Sequence, residues 1–315
     1  MKNVSSKIHP ELYRIARMTP KLSFNNRNLR FVSWLMSLSP APRIPKDIVV
    51  ENVLVPSQDG QTKTRTRMYK PRKTAAPTPA LIWMHGGGYV MGKPEMDDRR
   101  CVEYVRELGI AVVSIDYRHA PKHPFPAGLE DVHSVLKWIG LHHEDLGIDV
   151  KRIATGGASA GGGLAAALAQ LAQDRQDTRL VFQLLVYPML DDRTVLREDI
   201  DDSSTVVWDQ KSNRFGWESY LGQKCGAECV PEYSVPARRH DLSGLPPAWI
   251  GVGTLDLFFD ESVAYAQRLE ACGVKCEIET VSGAFHGFDV FDHTLPIVQK
   301  FRESQISALK RHLFP

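Results

Sequence analysis

The sequence predicts an α/β fold, with a mainly parallel central sheet and helices on both faces. Short apolar runs recur from residue 80 onward: "ALIWM" (80–84), "IAVVSIDY" (110–117), "RIATGG" (152–157), "LVFQLLVY" (180–187), "AWIGVGT" (248–254) and "CEIETVS" (276–282). Helix-like segments at 127–141, 160–173 and 261–272 lie between several of them. That alternation requires crossover helices that cover a parallel sheet on both sides. With 315 residues, 43% of them hydrophobic and 24% charged, the chain is long enough and apolar enough to bury one large core.

The earlier elements read differently. Leu12, Ile15 and Ala16, then Phe31, Trp34, Leu35 and Leu38, recur at three- and four-residue steps, the period of amphipathic helices. Pro40, Pro42 and Pro45 stop that pattern. "DIVVENVLV" (47–55) reads as a strand, and so does "TKTRTRMY" (62–69), where threonines and basic residues take turns on two faces. The interval from Met189 to Leu245 breaks the later rhythm. It is acidic at first (Asp191, Asp192, Glu198, Asp199, Asp201, Asp202) and then aromatic (Trp208, Phe215, Trp217, Tyr220), and reads as an insertion over the functional site. No internal repeat or low-complexity tract is visible.

A net charge of +2 gives no general reason to expect nucleic acid as a partner. The charge is unevenly spread, with nine Lys or Arg through Lys46 against one acid, Glu11. A solvated helical face explains this, and attraction to an anionic surface is the competing reading. The five cysteines, Cys101, Cys225, Cys229, Cys272 and Cys276, are odd in number, and their two C-x-x-x-C pairs match no zinc spacing. Reduced structural thiols and no metal are therefore expected. The first sixteen residues lack the apolar stretch of a signal peptide, and "FVSWLMSL" (31–38) is too short to span a bilayer. A soluble cytoplasmic protein with no integral membrane segment is the expectation.

Gly157-Ala158-Ser159-Ala160-Gly161 is a G-x-S-x-G placed just after a strand and just before an alanine-rich helix. That is the context of a nucleophile elbow, a sharp turn that exposes one hydroxyl and leaves no room for side chains at the flanking glycines. A plain glycine-packed turn is the bland alternative. A second stretch, "HGGGYVMG" (85–92), leaves the "ALIWM" strand with His85, Gly86, Gly87 and Gly88 in the H-G-G-G pattern associated with an oxyanion hole. Consecutive glycines let backbone N–H groups surround a small developing anion. A phosphate-cradling loop is disfavoured, because neither G-K-[ST] nor a complete G-x-G-x-x-G occurs.

A serine nucleophile needs a base, and the base needs an orienting carboxylate. In this arrangement the chain order is nucleophile, acid, histidine. Asp256 follows the "AWIGVGT" strand and His286 follows "CEIETVSGAF" (276–285), so both fit. Asp260 and Glu261 compete for the acid, but they fall where a helix should begin and suit its dipole. His293 and His312 do not directly follow a strand.

Together these residues resemble the bacterial hormone-sensitive-lipase-like carboxylesterases (family IV), through "HGGGYVMG", "DYRHAPKHPFPA" (116–127), "GASAGGG" (157–163), "LDLFFDE" (255–261) and "HGF" (286–288). The resemblance covers about residues 47–315 and implies an α/β-hydrolase fold. It also implies a cofactor-free serine esterase with Ser159 as nucleophile, Asp256 as acid, His286 as base, and Gly86, Gly87 and Ala160 as oxyanion donors. A catalytic domain over 47–315 and a helical cap built from 1–46 and the 189–245 insertion are implied too. So are small esters of short to medium acyl chains, and a homodimer. The sequence departs from the family pattern at Ala158, where aspartate is common, at Lys122, where glutamate is usual, and at Leu257, where proline is frequent; these affect tuning more than reaction type.

Within the variable segments Phe31, Trp34, Leu35, Trp208, Trp217 and Tyr220, with Tyr89 of the glycine loop, are candidates to line an apolar entrance. Packing between cap helices is their competing role. Two other functions remain open on these residues. One is an amidase or peptidase on the same scaffold. The other is a non-catalytic ligand-binding relative, a class that typically loses the histidine present here as His286.

Overall fold

The computed structural model describes residues 7–20, 22–29, 31, 32, 34, 43–58, 60–73, 77–176, 178–200 and 205–315. Among these, β1 (Ile48–Pro56), β2 (Lys63–Pro71), β3 (Thr78–Met84), β4 (Ala111–Asp116), β5 (Ile148–Ala158), β6 (Phe182–Val186), β7 (Ala248–Gly253) and β8 (Cys276–Val281) form one sheet. The strand order is β1-β2-β4-β3-β5-β6-β7-β8. β1 pairs antiparallel with β2, and β2 with β4, whereas every pairing from β4–β3 to β7–β8 is parallel.

The helices include α1 (Tyr13–Met18), α2 (Asp98–Leu108), α3 (Ala127–Leu146), α4 (Ala160–Arg175), α5 (Gln210–Leu221), α6 (Phe259–Ala271) and α7 (Pro296–Leu313). Their apolar faces divide into two cores. Residues of α3, α4 and α6 share one core with Ala80, Ile82 and Met84 of β3, while α2 and α7 share the other with Leu81 and Trp83 of the same strand. Alternate residues of a strand point to opposite faces, so a strand covered on both sides reads as a near-continuous apolar run. Every residue of β3, β6 and β7 is buried accordingly. Each large apolar side chain so buried contributes about 1.5–3 kcal/mol.

α3 runs past the end expected at Leu141, through a non-helical His142, and stops at Gly147, whose left-handed φ of 64° caps it. α4 is buried from Ala160 to Ala172, which accounts for its being apolar nearly all round. The N-terminal residues are less separate from the body than their sequence suggests. Leu12 is fully buried in the α2–α7 core. His9 N–H donates to Gly283 O at 2.9 Å, and the Glu11 carboxylate accepts from Ile297 N–H at 2.9 Å. Residues 189–245 carry α5 and two short 3₁₀ turns, Asp192–Leu196 and Pro236–Arg238. All five cysteines are free thiols. Among the described residues no helix is long and apolar enough to cross a membrane.

Candidate active site

Ser159 sits at the junction of β5 and α4 with φ 57° and ψ −123°, a conformation that costs an L residue about 1–3 kcal/mol. Hydrogen bonds hold it there. Its N–H donates to Val186 O at 2.9 Å, and its carbonyl accepts from Gly163 N–H and Met189 N–H at 3.0 Å each. The flanking glycines are required by close approach. A Cβ at Gly157 would lie 2.3 Å from Gly161 O, and one at Gly161 would lie 2.1 Å from Met84 O. Gly161 therefore lets α4 press against the end of β3, which brings the H-G-G-G loop beside the serine. A Cβ at Gly86 would be 3.4 Å from Ser159 Cβ.

Three side chains form a hydrogen-bonded chain. His286 Nε2 lies 3.0 Å from Ser159 Oγ, and His286 Nδ1 lies 2.8 Å from Asp256 Oδ2. The other carboxylate oxygen, Oδ1, accepts from Phe258 N–H at 2.9 Å, which fixes the carboxylate plane. A carboxylate only accepts, so Nδ1 carries the hydrogen and the Nε2 lone pair faces the hydroxyl. The imidazole makes T-shaped contacts with the rings of Tyr187 and Phe258, centroids 4.9 and 5.1 Å away. Ser159, Asp256 and His286 are buried, each 6% exposed.

The glycine loop is shaped from below by a buried aromatic stack. His85 lies on Tyr117 at 4.4 Å, its Nδ1 bonds to Gly86 O at 2.7 Å, and its own carbonyl accepts from Tyr117 Oη at 2.8 Å. His119 meets His85 edge-on at 5.4 Å. Burial pushes both imidazoles down to about 4. Both are therefore neutral in the fold and protonate readily once unfolded. The stability they contribute is complete above pH 6.5 and drains away as pH falls toward 4. The urea midpoint of the wild type should drop over that window, and His119→Gln should make the drop shallower; parallel curves would remove His119 from the account.

The structure spreads the aromatic candidates over different surroundings. Trp208 covers the glycine loop, since a Cβ at Gly88 would lie 2.2 Å from its indole, and Phe24 packs on it at 5.5 Å. Trp217 and Tyr220 of α5 are buried with Tyr89: Tyr89 stacks on Tyr220 at 4.0 Å and meets Trp217 at 5.3 Å in a tilted contact. Tyr89 Oη also donates to Met189 O, next to the serine turn. For these three, packing is the role the contacts describe. Phe31 and Trp34 are exposed, with rings 6.0 Å apart. Leu35 lies outside the described residues.

Glu261 does something its sequence position does not reveal. Its buried carboxylate accepts from Leu190 N–H at 2.6 Å, from Asp191 N–H at 3.2 Å and from the Thr194 hydroxyl. It thus ties residues 190–194 to α6, and burial raises its pKa well above the usual carboxylate range. Asp260 pairs with Arg197 at the surface. His312 stacks on Phe182 at 4.1 Å. Ala158 and Leu257 are buried in the apolar cores, and Lys122 is exposed.

A family profile described as the alpha/beta hydrolase fold matches residues 81–290. Carboxylesterase NlhH of Mycobacterium tuberculosis is 33% identical over 280 residues, covering 89% of this chain and 88% of that protein. Ethyl acetate hydrolase of Pseudomonas putida is 29% identical, covering 84% and 83%. Among solved structures, a bacterial heroin esterase superposes with a TM-score of 0.90 at 34% identity, covering 98% of this chain and 99% of that one. The chain belongs to the alpha/beta hydrolase fold family, in its hormone-sensitive-lipase-like branch. It is a carboxylic ester hydrolase.

Proposed function

We propose that Ser159 is the nucleophile of a two-step ester hydrolysis in which His286 is the base and Asp256 its orienting acid. The observation that carries this is the 3.0 and 2.8 Å hydrogen-bonded chain ending on a serine held in a strained turn. Ser159 Oγ attacks the ester carbonyl while its proton passes to His286 Nε2, and Asp256 stabilises the resulting imidazolium. The tetrahedral oxyanion faces the N–H groups of Gly86, Gly87 and Ala160. The last of these is an orphan donor of the first turn of α4, where the helix dipole adds to the attraction. The intermediate collapses to an acyl-serine as His286 gives its proton to the departing alcohol. Water then repeats the sequence and releases the acid.

The substrate class we propose is small esters with short to medium acyl chains. The name of the Pseudomonas putida relative, an ethyl acetate hydrolase, supports the small end of that range. We further propose that the N-terminal segment and the insertion act together as a cap. Phe24 N–H donates to Ser212 Oγ at 2.9 Å, the Ser23 hydroxyl donates to Asp209, and Phe24 packs on Trp208 over the glycine loop.

Initial rates on p-nitrophenyl esters from acetyl to dodecanoyl test the substrate class. Turnover peaking at a short or medium acyl length is expected, and a maximum at dodecanoyl refutes it. Matched anilides should be turned over far more slowly; faster anilide turnover would make the enzyme an amidase.

A further inference from the structure

Behind His286 lies a buried ion cluster that the reaction described above does not use. Asp289 falls three residues after the histidine, on the turn Phe288–Val290, and is fully buried. Its Oδ2 accepts from Arg100 Nη2 of α2 at 3.0 Å and lies 3.1 Å from Arg302 Nε of α7. Its Oδ1 accepts from Tyr187 Oη at 2.7 Å. Arg100 in turn lies over the Trp83 ring at 5.1 Å and beside Asp97 at 3.7 Å, and Asp97 accepts from Trp83 Nε1 at 2.8 Å.

Such an arrangement is costly to build. Two guanidinium groups and a carboxylate lose their water, and stability alone gives little reason to keep a buried ion cluster. What the cluster does is join loops. Trp83 sits two residues before His85 and the glycine loop, and Tyr187 directly follows β6. Asp289 shares its turn with His286, and the Tyr187 ring meets the imidazole in a T-shaped contact with centroids 4.9 Å apart. The Tyr187 backbone is itself constrained, with φ 36° and its N–H donating to Gly251 O at 2.6 Å.

We infer that Asp289 and Tyr187 are positioning residues for the hydrolysis: the Arg100–Asp289–Arg302 cluster anchors the Tyr187 hydroxyl, and the anchored ring holds the His286 imidazole in line with Ser159. This rests on the triad proposed above. Fixing a base within a fraction of an ångström is where such a support acts, because a displacement of about 1 Å can cost about 100-fold in rate.

The experiment compares Tyr187→Phe, which keeps the ring and loses its anchor, with Tyr187→Leu, which loses both. kcat is expressed per serine titrated with a fluorophosphonate, and the melting temperature is measured alongside. We expect kcat to fall about 10-fold in the first and about 100-fold in the second, with KM within about twofold. Asp289→Asn should lose at least as much kcat as Tyr187→Phe; should it fail to fold, the Tyr187 pair decides. Lower melting temperatures with kcat per titrated site unchanged would make the cluster merely structural and overturn the inference. His286→Ala separates the two readings. Turnover retained there removes the triad and this inference with it, whereas turnover lost there but kept in Tyr187→Leu overturns the positioning role alone.

Discussion

Ser159→Ala should keep the fold and lower turnover by about 10⁴-fold or more. The substitution removes one oxygen, the atom 3.0 Å from His286 Nε2, and leaves the His286–Asp256 hydrogen bond in place. Alanine retains the Cβ, so the strain at φ 57° is unchanged, as are the three backbone bonds that hold the turn. The denaturation midpoint should therefore move little while hydrolysis of a p-nitrophenyl ester disappears. Fluorophosphonate labelling should vanish with it. A folded Ser159→Ala enzyme that still turned over its ester would require a different nucleophile.

Gly87→Ala is the second large effect, and it comes from the backbone rather than from a reacting side chain. Gly87 has φ 124°, a region that L side chains rarely adopt, and an added Cβ would lie 1.9 Å from Met91 O. The loop has to shift, and with it the N–H group proposed to face the oxyanion. Loss of one such donor costs about 10²–10³ in kcat. Gly86→Ala is the matched control, since its Cβ would be 3.2 Å from the nearest atom, Ala158 O, at an ordinary φ. A milder defect is expected there. Near-normal kcat in folded Gly87→Ala would take that N–H out of the mechanism.

Much of the sheet was legible because a strand covered on both faces must be written as an unbroken apolar run. β7 is such a run, β3 and β6 are interrupted only by Thr78 and Gln183, and β2 announces its half-buried state by alternating Thr64 and Thr66, which are buried, with Arg65 and Arg67, which are not. The site was legible where chemistry constrains local sequence: glycines where chains touch, and an acid and a histidine after successive strands. Side-chain direction was not. Trp217 and Tyr220 lie on an amphipathic helix whose period marks an apolar face, yet nothing in that period says whether the face meets a pocket or Tyr89. Nor was the Asp289 cluster readable, because Arg100 and Asp289 meet across 189 positions and neither stands in a recognisable motif. Glu261 was legible as a first-turn acid, but its grip on Leu190 depends on tertiary packing.

The clasp between the two ends of the chain bears on how the protein is made. Glu11 reaches Ile297 across 286 positions, and His9 pairs with Gly283, three residues before His286. During synthesis, the first dozen residues leave the ribosome long before their partners exist, and contacts so distant in sequence close late. The partners that hold the Ser159 turn, Val186, Gly163 and Met189, all precede residue 190. The histidine turn follows β8, and its clasp needs the start of α7, so the parts that complete the Ser159–His286 pair are the last to be synthesised.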